Sequence, residues 1–123
     1  MIKVLIVDDN PDVLQVMQLL LGTRGYEVET ITRGEETFKK VEIFQPNLIF
    51  LDVHLSGMDG REICKQLKTT EEIKHIPVIL FSANMNVEKS ITECLADGFI
   101  SKPFDINDLI QGIDNHLLET NGS

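Results

Sequence analysis

The sequence predicts an α/β protein with a five-stranded parallel sheet, doubly wound by helices in the pattern (βα)5 with strand order 2-1-3-4-5. Two observations carry this. Short apolar runs alternate with longer segments whose apolar residues recur three and four apart, the mark of strands alternating with helices. The runs "VLIV", "LIFL" and "VILF" are also apolar at successive positions, as strands covered on both faces must be. Right-handed crossovers place helices on both sides of such a sheet. The order 2-1-3-4-5 then sets the carboxyl ends of the first and third strands beside a switch point, where open α/β sheets bind ligands.

Each element has its own local reason. "IKVLIV" reads as the first strand, and "PDVLQVMQLLLGTRG" as a helix with Val13, Val16, Met17, Leu20 and Leu21 on one face. Asn10 can cap that helix, Pro11 suits its first turn, and Gly22 or Gly25 can end it. "YEVETI" is a strand, and "GEETFKKVEIF" a helix carrying Phe38, Val41 and Phe44. "NLIFLD" is the third strand and "GREICKQLKT" the helix after it, with Gly57 and Asp59-Gly60 as turn chemistry and a helix start. "IPVILFSA", the helix "VEKSITECLADG", the short strand "FIS" and the helix "INDLIQGIDNHLLE" complete the order. The domain is expected over residues 1–119, with 120–123 a frayed tail.

Composition narrows the function classes. A chain of 123 residues, 42% hydrophobic, fits one domain, and a formal net charge of -9 repels nucleic acid and anionic lipid. Cys64 and Cys94 have neither the number nor the spacing of a disulfide framework or zinc site, and read as buried or semi-buried free thiols suited to a reducing cytosol. The apolar run before Asp8 is too short for a signal peptide, and nothing approaches a spanning helix. A soluble cytoplasmic protein is expected, with His75 and His116 on its surface.

Chemistry gathers at the carboxyl ends of the strands. Asp8 and Asp9 end the first, Asp52 the third, Ser82 the fourth and Lys102 the last. Carboxylates packed this closely raise one another's pKa values unless a cation sits among them. Magnesium, which takes oxygen ligands and commonly uses one or two carboxylates plus a phosphate oxygen, suits that set. A carboxylate can also attack phosphorus to form an aspartyl phosphate. Asp52, at the end of a rigid central strand, is the best placed of the three, and Lys102 with the metal would share the charge on the phosphoryl oxygens. Taken alone, Asp8, Asp9 and Asn10 before a proline read as helix-capping residues; Asp52 and Lys102 in register with them argue for a site.

The ordered set "VLIVDDN", "LIFLDVHLSGMDG", "VILFSA" and "ISKPF" resembles the receiver domains of two-component response regulators, of the single-domain chemotaxis and sporulation-relay type, whose fold is flavodoxin-like. The resemblance covers essentially the whole chain. It implies that Asp52 is the phosphoacceptor, receiving a phosphoryl group from a phosphohistidine donor in a magnesium-dependent reaction. It makes Asp9 a direct metal ligand with Asp52, gives Asp8 a role through metal-bound water, and makes the backbone carbonyl of His54 the third protein ligand. Ser82 becomes the switch hydroxyl, Lys102 the ion-pair partner of the phosphoryl group and Phe99 the switch aromatic. The Lys102–Pro103 bond would be cis. The implied partners are a sensor histidine kinase or histidine phosphotransfer protein and a downstream effector, with the domain a monomer or weak dimer. Such a domain is no enzyme in the ordinary sense; it assists its own phosphorylation and dephosphorylation.

Three positions depart from the family pattern. Ser56 stands where a proline is usual, which leaves the loop less restricted. His54, two residues past the acceptor, is an uncommon choice; its side chain and that of Asn84, two past the switch hydroxyl, would influence how water reaches the acyl phosphate, His54 as a shield or as a base. Phe99 lacks the phenol many relatives carry. Two other classes are disfavoured by the site. A phosphatase of the haloacid dehalogenase type needs a second acid where His54 stands. A flavodoxin-like flavin or nucleotide binder needs a Gly-, Ser- and Thr-rich loop after the first strand, where this chain has "DDNPD".

Overall fold

The computed structural model describes residues 1–83 and 93–121, with side chains to residue 117 in the last helix. Strand β1 (Lys3–Val7) leads to helix α1 (Pro11–Gly22), β2 (Glu27–Ile31), a short 3-10 turn (Gly34–Glu36) and α2 (Thr37–Phe44). Then follow β3 (Leu48–Asp52), α3 (Gly60–Thr69), β4 (Val78–Ser82), β5 (Gly98–Ser101) and a C-terminal helix (Ile106–Asn121). The five strands pair in parallel in the order β2-β1-β3-β4-β5, the predicted winding. The helix expected over 87–98 lies largely outside the described residues; at its described end Gly98 already belongs to β5.

Strand alternation sends neighbouring side chains to opposite faces, so a run that is apolar throughout feeds two cores. Leu5, Val7, Ile49, Leu51 and Leu80 face α2 and α3, meeting Val41, Phe44, Ile63 and Leu67. Val4, Ile6, Phe50, Ile79 and Phe81 face α1 and the C-terminal helix, meeting Met17, Leu21, Leu109 and Ile113. Phe81 stacks between Phe50 and Phe104, with ring centroids 5.3 and 5.0 Å away.

Helix α1 starts as expected: the Asn10 side chain accepts the Asp12 N–H at 3.0 Å and Pro11 is its first residue. Its buried stripe is Leu14, Met17 and Leu21, with Val13 packed beside it, and Val16 is 55% exposed. The predicted face holds for Met17 and Leu21, with Val13 and Leu20 half-buried, but it wrongly included Val16 and missed Leu14. At about 100° per residue, Val16 lies well over 90° from the centre of a stripe set by Leu14, Met17 and Leu21.

Two connections matter for the site. After β3 the chain makes a two-residue-per-side hairpin, His54–Leu55 against Met58–Asp59, turned at Gly57 with φ of 76°. Asp59 then caps α3 by accepting the Arg61 N–H at 2.9 Å. At the opposite end of the sheet, Lys68 Nζ donates to the Ile76 carbonyl at 3.0 Å and to Asp97 Oδ2 at 2.7 Å. Asp97 Oδ2 also accepts the Val78 N–H at 2.8 Å, which ties α3 to the start of β4 and to the approach to β5.

Cys64 and Cys94 are buried free thiols in one core, and burial followed by the neighbouring Cys94 pushes the Cys64 thiol far up. His75 is exposed, but His116 is not the plain surface residue expected. It is half-buried, with ring nitrogens 2.8 and 3.0 Å from the carbonyl oxygens of Gly112 and Asp97.

Candidate functional site

Parallel register brings the strand ends together. Val7 pairs with Ile31 and Leu51, Asp52 with Phe81, and Ser82 with Ser101, so the residues that follow each strand open onto one rim. Asp8, Asp9 and Asp52 each offer a carboxylate oxygen there, all within 4.8 Å of one another. Asp8 is fully buried, Asp52 5% exposed and Ser82 1% exposed, while Asp9 is half-buried.

Lys102 is held at this rim by its own backbone, whose N–H donates to the Ser82 carbonyl at 3.0 Å, and its bond to Pro103 is cis, as the resemblance implied. Its Nζ bridges Asp8 Oδ2 at 3.0 Å and Asp52 Oδ2 at 3.2 Å, and lies 5.8 Å from the centre of the Phe81 ring. One ammonium between two buried carboxylates leaves the pocket with excess negative charge even before Asp9 is counted.

The electrostatics follow. Burial first, and then the Asp8 charge, push the Asp52 carboxyl above its ordinary value, against the opposing pull of Lys102 and the His54 N–H. Burial pulls the Lys102 ammonium down, yet its hydrogen bond to Asp8 and the charges of Asp52 and Asp8 outweigh that, so it moves up overall.

The carboxylate oxygens are not equivalent. Asp8 Oδ1 accepts the Asn10 N–H at 2.9 Å and its Oδ2 takes Lys102, so both its oxygens are engaged. Asp52 Oδ1 accepts the His54 N–H at 3.2 Å and its Oδ2 takes Lys102. Asp9 Oδ2 accepts the hydroxyl of Ser56 at 2.9 Å. A hard divalent ion fits this all-oxygen donor set, with Asp9 the carboxylate that the lysine leaves alone.

The other expected positions are dispersed. The His54 side chain is exposed and its residue pairs with Asp59 in the hairpin. Phe99 is half-buried in β5, on a groove it shares with Ile79, Ile100, Gln111 and His116. Asn84 lies outside the described residues. Sequence reasoning treated Ser56 only as a missing proline. Its partner is 47 residues away, and only the tertiary turn of the hairpin reveals the contact.

Residues 4–114 match the family of response regulator receiver domains. Among curated proteins, the chain is 33% identical over 117 residues to the polar-differentiation response regulator DivK of Brucella ovis, covering 94% of this chain and 95% of that protein. It is 38% identical over 104 residues to the alkaline phosphatase synthesis transcriptional regulatory protein PhoP of Bacillus subtilis, covering 83% of this chain but only 42% of that protein. The chain spans 42–50% of the length of PhoP and several other transcriptional or response regulators it matches. Among solved structures, the chemotaxis response regulator CheY4 of Vibrio cholerae superposes with a TM-score of 0.87 at 30% identity, covering 95% of this chain and 99% of that one.

Proposed function

As the chain belongs to the response regulator receiver family of two-component systems, we propose that it accepts a phosphoryl group from a phosphohistidine donor onto Asp52 and passes that state to a partner as a conformational signal. The observation that carries this reading is the buried Asp52 carboxylate bridged by Lys102 to Asp8 at the switch point of the sheet, with Asp9 alongside. In the transfer, an oxygen of Asp52 attacks phosphorus, the P–N bond to the donor imidazole breaks, and its electron pair stays on the departing nitrogen. Lys102 is placed to follow the charge as it spreads from the carboxylate to the phosphoryl oxygens. Ser82, beside it at the end of β4, offers a hydroxyl to the same oxygens.

Magnesium, when bound, would supply positive charge that favours ionised Asp52 and the developing phosphoryl charge. Asp9, Asp52 and the His54 carbonyl would hold it, with Asp8 acting through water, as the resemblance to the family implies. Binding should raise stability by about 2.7 kcal/mol once free ion is a hundredfold above its dissociation constant. The rise should shrink as pH falls into the raised titration of Asp52, because protons compete for the ligand. A melting temperature that stays still across a magnesium titration at constant ionic strength would refute the metal assignment.

The defining experiment is incubation with acetyl phosphate and magnesium. One phosphoryl group per chain, labile to hydroxylamine as an acyl phosphate must be, is the expected result. An adduct stable to hydroxylamine, or none, overturns the reading.

Phosphorylation adds about -1.5 to -2 charges beside Lys102 and Ser82. Drawing Ser82 toward Asp52 would open space for Phe99, and the face of β5 and the C-terminal helix would report the change. A sensor histidine kinase or histidine phosphotransfer protein would supply the phosphoryl group, and a downstream effector would read it.

The lifetime of that state turns on His54. Its side chain is exposed, two residues past Asp52, whose carboxylate accepts the His54 N–H, and we expect the ring to hinder water. His54→Ala should therefore lose phosphate faster than wild type across pH. Slower loss in His54→Ala would make the ring a base instead.

A further inference from the structure

Ser56 occupies the first position of the two-residue turn whose second is Gly57, with Leu55 paired to Met58 and His54 to Asp59 below it. Its side chain is exposed to water, yet its hydroxyl does not simply face solvent: it donates to Asp9 Oδ2 at 2.9 Å across 47 residues of sequence. The neighbours of Asp9 are already secured. Asp8 is held by the Asn10 N–H and Lys102, and Asn10 accepts the Asp12 N–H at the start of α1.

The Asp9 carboxylate is in a different position. It sits within 4.8 Å of two other carboxylates, and the bridging ammonium serves those two. Like charges at that spacing push the half-buried Asp9 toward solvent. A hydroxyl donated to one oxygen opposes this. It leaves the other oxygen, and a second lone pair on the first, for a cation.

We propose that Ser56 is a positioning residue for the metal centre: its hydroxyl holds Asp9 in register with Asp8 and Asp52, so that divalent-ion binding and the order of the hairpin at 54–59 rise and fall together. The proposal rests on the reading of the acidic rim as a magnesium site. The coupling is thermodynamic and reciprocal. Whatever fixes Asp9 favours the ion, and the ion, by fixing Asp9, favours the closed hairpin.

The test measures magnesium affinity calorimetrically and amide hydrogen exchange at 54–59, each in wild type, Ser56→Ala, Ser56→Thr and Ser56→Pro. Loss of one hydrogen bond to a charged group should weaken magnesium binding by roughly tenfold in Ser56→Ala and abolish the slowing of hairpin exchange that magnesium causes in wild type. Ser56→Thr keeps the hydroxyl and should restore both. Ser56→Pro stiffens the turn without a hydroxyl and should bind as weakly as Ser56→Ala.

Wild-type affinity in Ser56→Ala overturns the proposal, as does full restoration by Ser56→Pro, which would credit loop stiffness instead. A folded wild type that binds no magnesium overturns the metal reading, and this inference with it. Magnesium bound equally by wild type and Ser56→Ala overturns only the role of Ser56.

Discussion

Asp52→Asn should take up no phosphoryl group from acetyl phosphate and magnesium, and its metal-free fold should be more stable than that of wild type at neutral pH. The first effect is a loss to background, because the amide that replaces the carboxylate lacks the anionic oxygen that would attack phosphorus. The second comes from the direction in which Asp52 titrates. Burial and Asp8 hold its carboxyl above the ordinary value, so the folded chain binds that proton more readily than the unfolded chain does. Its contribution to stability then falls as pH rises from the ordinary carboxylate range through the raised value, and stays low above it.

Asparagine has no charge to bury, so the substitution removes that loss while still offering an acceptor to the His54 N–H. Asp59 behaves in the opposite sense. Its hydrogen bond with Arg61 holds it down, and its contribution is lost only as pH falls. Melting temperatures of the two proteins from acid to neutral pH should diverge upward in favour of Asp52→Asn, while the magnesium-induced shift shrinks in the variant. A mutant that melts below wild type at pH 7, or that retains a hydroxylamine-labile phosphoryl group, would contradict the assignment.

Gly60→Ala should destabilise the domain by about 3 kcal/mol or more and disturb the acceptor with it. A Cβ at Gly60 would run into the carbonyl oxygen of Asp52, and would stand 2.9 Å from its carbonyl carbon and 3.0 Å from Val53 Cα. These are backbone atoms of a central strand, unable to swing aside as a side-chain tip can. The Gly60 N–H also donates to the Val53 carbonyl at 2.7 Å, which pins the start of α3 against the end of β3. Either α3 retreats and that bond is lost, or the end of β3 shifts and carries the Asp52 carboxylate away from Lys102.

Gly22→Ala is the matched control. Nothing lies within 4 Å of its added Cβ, and the position is helical, so a gain of about 0.5–1 kcal/mol is expected. Urea denaturation of both variants measures the contrast. A Gly60→Ala protein as stable as wild type would mean that the close approach is relieved at no cost.

What was legible in the sequence was whatever depends on neighbours in the chain. The strand order followed from apolar runs alternating with helical periods. The caps at Asn10 and Asp59 followed from residues whose partners lie two positions on. The meeting of Asp8, Asp52 and Lys102 was readable because parallel strands must end on one rim, so the topology carried residues 50 and 94 apart into register.

What was missed needed tertiary geometry. Val16 fits a three-and-four spacing as well as Leu14 does, and only the docking angle of α1 decides which is covered. The Ser56–Asp9 bond, the hold of Lys68 on Asp97, and the seating of His116 between two carbonyls each join distant segments through polar atoms. No periodicity marks such contacts. The switch roles of Ser82 and Phe99 came from the resemblance, whereas those of Asp52 and Lys102 were readable from the strand ends themselves.

The strand order also carries a consequence in time. β1 precedes β2 and β3 in the chain, yet it lies between them in the sheet, and the Lys3 N–H finds the Asn47 side chain at 2.8 Å only when the third βα unit begins. β1 therefore waits for residues 47–52 before both its edges are sealed, a non-local closure of the kind that slows folding. Pairing of β1 with β3 alone would set Asp8 and Asp52 side by side with no ammonium between them, since Lys102 lies 50 residues beyond Asp52. Like charges at that spacing oppose such a partial closure. The lysine that bridges them in the finished pocket therefore ties the closing of β1 to the docking of the last strand, which favours assembly of the domain as one unit.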